Sequence, residues 1–110
     1  DGVVMRHFKK GEVIFAEGQG SFNELLMITS GTVSMKMHGS HLGELERYSL
    51  LGDRGLLFNE QPTTLVALDK VETLVLKLGL LEGIFGDELP KVLLRDRIMA
   101  VLTEHKVFGR

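Results

Sequence analysis

Leu51-Gly52-Asp53-Arg54-Gly55-Leu56-Leu57-Phe58-Asn59-Glu60-Gln61-Pro62-Thr63-Thr64 is the stretch on which the reading of this chain turns. It opens with a flexible Gly-Asp pair, continues as one apolar helical turn, passes a polar turn and re-enters an extended segment. A loop that runs directly into a helix start exposes backbone N–H groups at the positive end of the helix dipole, a natural seat for an anion. A Gly-Asp turn alone would only join two strands, so the surrounding segments decide what it means.

Upstream, Val13-Ile14-Phe15-Ala16 ends at the turn cluster Glu17-Gly18-Gln19-Gly20-Ser21, and Leu25 to Thr29 ends at Ser30-Gly31. Thr32-Val33-Ser34-Met35-Lys36-Met37 alternates polar and apolar with period two, the pattern of a half-buried strand. His38-Gly39-Ser40-His41 reads as a hairpin turn, with Leu42 to Tyr48 returning as its partner. Downstream, strands are expected at Thr63 to Leu68 and Thr73 to Leu78. Short strands at this spacing predict a closed or double-sheet β architecture that hides its edges. From Leu80 the period moves toward 3.6, with Leu81, Ile84 and Phe85 on one stripe. Asp87 is placed to cap a second helix with Pro90 in its first turn. Leu89, Val92, Leu93, Ile98, Val101 and Leu102 extend the apolar face as far as His105.

The 110 residues suffice for one domain, and 44% hydrophobic with 25% charged residues is ordinary globular usage. The absence of cysteine excludes disulfides, thiolate zinc sites and thiol catalysis. A net charge of −2 argues against a general nucleic-acid binder. The longest apolar candidate, Leu65 to Leu81, is interrupted by Asp69, Lys70, Glu72 and Lys77, so no membrane span is expected. The first residue is not Met and no signal-peptide pattern precedes the first strand, so a piece of a longer cytoplasmic protein is expected.

The ordered set Gly11-Glu12-Val13-Ile14, Glu17-Gly18, Leu26-Met27-Ile28 and Ser30-Gly31-Thr32-Val33 resembles the first half of the cyclic nucleotide-binding domain. Leu51 to Leu68 then aligns without a gap to the phosphate-binding cassette of that family. The resemblance implies a mainly β domain: an eight-stranded β-roll of the jelly-roll type over about residues 3–78, with C-terminal helices over about 79–107. In such a domain the nucleotide sits inside the roll over the short cassette helix. Carried over residue by residue, Gly52 matches the glycine that approaches ribose and phosphate, and Asp53 stands where the family has the Glu that accepts the ribose 2′-hydroxyl. Arg54 and Gly55 count with them among the vestigial ligand-binding residues of the cassette, although on a helical turn Arg54 is expected to point away from Asp53. Gln61 replaces the usual Pro, Pro62 falls at the phosphate-binding Arg, and Thr63 matches the position where Thr resembles the cGMP-selective form.

These departures have a physical price. An Arg fork makes charge-assisted bonds to phosphate, each worth about 1.5–3 kcal/mol, whereas proline brings neither charge nor donor. Its loss lowers affinity roughly ten- to a hundred-fold or more. Asp53 is one methylene short of Glu and repels a phosphate unless neutralised. The cassette therefore reads as degenerate, with cGMP binding expected to be weak or absent and no other cofactor implied.

Leu81-Glu82-Gly83-Ile84-Phe85-Gly86-Asp87-Glu88-Leu89 resembles the segment after the roll in cGMP-dependent protein kinases, and Val101 to Phe108 resembles the helix leading to the next domain of a tandem array. The chain thus looks like a non-catalytic regulatory copy with neighbouring nucleotide-binding and kinase domains as partners. It would relay signals between domains of a serine/threonine kinase. The alternatives are a functional but weak cGMP site using Gly52, Asp53, Thr63 and backbone amides, and, remotely, a cupin-like metalloenzyme holding metal through His38 and His41. For those two histidines, solvated turn positions are the simpler reading. Met27, Met35 and Met37 read as core filler, Glu12 and Glu17 as surface charges, and Lys9-Lys10 as a solvated strand end. Arg95, Asp96 and Arg97 read either as a solvated helix face or as a contact with an adjacent domain.

Overall fold

The computed structural model describes residues 4–20 and 23–95. Two units emerge, one through Leu78 and one from Gly79. The first is built from β1 (Met5–Phe8), β2 (Val13–Phe15), β3 (Glu24–Ser30), β4 (Val33–Met37), β5 (Ser40–Leu45), β6 (Leu50–Leu51), α1 (Asp53–Phe58), β7 (Thr64–Ala67) and β8 (Val71–Lys77). They form two four-stranded sheets, β1-β8-β3-β6 and β2-β7-β4-β5, with antiparallel pairing throughout.

Alternation along each strand decides which side chains enter the space between the sheets. Leu26 and Ile28 on β3, Leu51 on β6, and Val71 and Val75 on β8 come from one sheet; Phe15, Val33, Leu65 and Ala67 come from the other. Register makes them neighbours: Leu26 lies opposite both Val75 and Leu51, Ile28 opposite Thr73, and Val33 opposite Ala67. Leu25, Met27, Leu74 and Leu76, on the opposite face of their sheet, are buried as well. That double burial is why Leu25 to Ile28 reads as a continuous apolar run rather than an alternating one.

The hairpin after β4 is tighter than the sequence pattern predicts. Its turn is His38-Gly39, both at positive φ (51° and 82°), and β5 already begins at Ser40. Two consecutive left-handed residues twist with the strands they join. A bulge between Met35 and Lys36 adjusts the pairing beyond the turn. β1 and β6 were not marked as separate strands by the sequence pattern; both are edge strands, paired to β8 and β3 respectively.

In the second unit, α2 (Leu78–Phe85) begins at the last residue of the first, a 3₁₀ turn spans Gly86–Glu88, and α3 covers Leu89–Arg95. On α2 the expected stripe is seen in part, with Leu81 and Phe85 buried and Ile84 half-buried; Leu89 and Leu93 of α3 are buried too. Asp87 sits inside the 3₁₀ turn instead of capping α3, because the chain continues from α2 through that turn without a break. Pro90 is the second residue of α3, where its missing N–H costs little. The expected continuation of the second helix to His105 and the stretch to Phe108 lie outside the described residues, which end at residue 95.

Candidate functional site

The cassette begins where β6 ends. Leu51 is fully buried, and Gly52 turns the chain at φ 92°, a left-handed conformation that costs glycine little. The Leu56 N–H donates to the Gly52 carbonyl at 2.9 Å, closing the first turn of α1. Asp53 opens that helix, half-buried, placing a carboxylate at its positive end. The segment ends at Asn59 in the left-handed conformation (φ 59°). Gly52 and Gly55 are buried, Arg54 and Pro62 are exposed, and Thr63 is buried. Arg54 is the one cation between Leu51 and Thr64, against Asp53 and Glu60.

The residue that draws the site together is Gln61, noted in the sequence as a replacement but not placed among the site residues. Its main chain forms a reciprocal pair with the turn after β2: the Gln61 N–H donates to the Gln19 carbonyl, and the Gly18 N–H donates to the Gln61 carbonyl, each at 2.8 Å. The Glu17 N–H donates to Thr64 Oγ1 at 3.1 Å. A β-carbon on Gly20 would stand 3.3 Å from the Asn59 carbonyl oxygen, so the two main chains run close together here.

The Gln61 side chain turns inward, 3% exposed, and its Nε2 donates to Thr63 Oγ1 at 3.1 Å. Its Oε1 is buried without a partner, at a cost of about 1–3 kcal/mol. Thr63, the hydroxyl that the family resemblance gives to the ligand, is thus engaged within the chain. The only advance signal of this arrangement is a Gln where the resemblance implies Pro.

Glu17 does more than carry a surface charge. Half-buried, it accepts the His38 N–H at 2.8 Å through Oε1 and sits 3.4 Å from His38 Nδ1 through Oε2. The cassette end, the turn after β2 and the hairpin turn are therefore linked in series.

His38 and His41 are both exposed and do not converge. His41 Nδ1 lies 3.0 Å from the hydroxyl of Ser34, which is 1% exposed on β4. That part-buried serine–histidine contact ties β4 to β5 across the hairpin. Among the described residues no three His, Asp or Glu side chains are grouped to hold a metal ion. Among the described residues, cavities of about 190 and 530 Å³ take their walls from β1, β2, the start of β3 and the flanking turns. Neither is lined by a cassette residue.

Two antiparallel sheets around one core, with a glycine-led helical cassette between the sixth and seventh strands, define an eight-stranded β-roll. The family model of the cyclic nucleotide-binding domain matches residues 5–88, and the chain belongs to that family. It is similar to a cGMP-dependent protein kinase of Eimeria tenella, 26% identical over 99% of this chain and 11% of the kinase. A kinase of the same description from Toxoplasma gondii is also 26% identical, over 98% of this chain and again 11% of its own length. The chain thus spans about one-ninth of these curated relatives. Among solved structures, the catabolite activator protein of Thermus thermophilus superimposes with a TM-score of 0.69 at 25% identity, covering 96% of this chain and 52% of that one. No described helix is long and apolar enough to cross a membrane.

Proposed function

We propose that this chain is a non-catalytic regulatory domain of a cGMP-dependent protein kinase whose cassette has lost its anchor for a cyclic phosphate. The observation that carries the reading is Pro62: exposed, without charge or N–H, at the position the family fills with an arginine. Arg54 does not substitute, because it is exposed on α1. Thr63 is buried, and its hydroxyl oxygen accepts a bond from Gln61 within the chain.

A domain of this kind acts through its surfaces. Ligand bound elsewhere in the polypeptide changes the packing of neighbouring domains, and this copy carries the bias onward through its terminal helices, provided they have two packings. Its partners are the adjoining nucleotide-binding and kinase domains of the same polypeptide. The reading is tested by thermal unfolding with and without 1 mM cGMP, then cAMP. A ligand that binds the folded state at a hundred times its Kd adds about 2.7 kcal/mol of stability. Unchanged unfolding supports the proposal, and a clear rise with cGMP overturns it.

A further inference from the structure

We propose that Gln61 is a latch built into the cassette: its main chain ties the outgoing end to the Glu17–Gly20 turn, and its side chain donates to the Thr63 hydroxyl oxygen. The cassette end is thereby held against the neighbouring turn by the chain's own hydrogen bonds. This rests on the reading of a degenerate cassette and adds how its unliganded arrangement is held.

Three observations converge. The reciprocal main-chain pair between Gln61 and residues 18–19 requires an N–H at position 61. A proline there, as the family resemblance implies, has none and could form only half the pair. The carboxamide is buried on Thr63 although its oxygen finds no partner. An apolar side chain of similar volume would avoid that cost, so packing alone does not explain a polar group here. Finally, the turn that Gln61 grips is held from its other side, since Glu17 accepts the His38 N–H and donates its own N–H to Thr64. Opening the cassette end therefore strains three turns together.

Amide hydrogen exchange on the 110-residue chain tests this, comparing the native protein with Gln61→Pro. The Pro variant is expected to speed exchange at Glu17 and Gly18 at least ten-fold while Leu26 and Val75 in the central strands stay as slow as before. Unchanged exchange at Gly18 overturns the latch. Should the variant lose its fold, seen as Leu26 and Val75 exchanging with the rest, the native chain decides. There the Gln61 and Gly18 amides are expected to be protected at least a hundred-fold over free peptide, and free-peptide rates overturn the proposal. Failure of the underlying reading looks different. If the native chain binds cGMP tightly, the degenerate cassette falls, whereas the exchange result judges Gln61 alone.

Discussion

Gly31 lies so close to Lys70 that a β-carbon on the glycine would meet the Lys70 carbonyl oxygen, with the Val71 α-carbon 2.9 Å away. The contact lies where the turn before β4 crosses the turn between β7 and β8, and Thr32 seals it by donating its N–H to Asp69 Oδ1 at 2.9 Å. Gly31 also holds φ 97°. Close approach and left-handed backbone thus coincide at one residue.

Gly31→Ala is therefore expected to destabilise the domain by about 2–4 kcal/mol, combining overpacking with left-handed strain. Gly39→Ala is its control: φ is 82° but the space is open, so only about 1–2 kcal/mol should be lost. Urea unfolding of the two variants checks the difference. Equal losses would mean that the contact with Lys70 contributes nothing.

Ile28 is fully buried on β3, opposite Thr73. Ile28→Ala should cost about 2–5 kcal/mol, because neighbours in the two-sheet core close only partly around the space left. Val13→Ala, at an exposed position of β2, should stay within about 0.5 kcal/mol in the same assay.

The unpartnered Gln61 oxygen gives a prediction with a pH signature. Gln61→Met removes the orphan acceptor along with the Thr63 bond and should be within about 1 kcal/mol of the native chain. Gln61→Glu places a carboxyl at a site only 3% exposed, and burial raises its pKa in the folded state. A folded pKa above the unfolded one makes the penalty greatest when the group must ionise. This variant should lose stability as pH rises from acid toward neutral, relative to the native chain. Thermal unfolding between pH 4 and 8 checks the sign, and a flat difference would place residue 61 in contact with solvent.

The relay reading makes its own demand. In the full-length polypeptide, Leu81→Ala with Phe85→Ala, on the buried stripe of α2, should change activation by cGMP bound at other domains. The signal is a shift in the cGMP concentration for half-maximal kinase activity, with nucleotide affinity of the isolated neighbours unchanged. An unaltered activation curve would remove the relay role.

Where a pattern is local, the sequence announces the structure. Thr32 to Met37 alternates and forms β4; Leu81 and Phe85 lie one helical turn apart and are both buried. β6 escapes notice because two residues cannot show a period; it exists through pairing with Leu26 and Met27. β1 escapes because three of its four residues are exposed and only its pairing with β8 makes it a strand. The cassette was legible as a glycine-led helical turn, and Pro62 is exposed after it. Gln61 was visible as a replacement, but its burial depends on hydrogen bonds to residues 18 and 19, which no nearby spacing reveals. Glu17 is a similar case, since its carboxylate finds His38 only after the hairpin has folded.

The central claim, that the cassette lacks its phosphate anchor, is tested most directly by calorimetric titration of cGMP into the native chain and into Pro62→Arg with Asp53→Glu, to millimolar ligand. The account predicts no binding heat from the native chain and measurable binding by the double variant, at least ten-fold tighter. A native Kd below about 10 μM, roughly −7 kcal/mol, would contradict it by placing the anchor elsewhere in the roll.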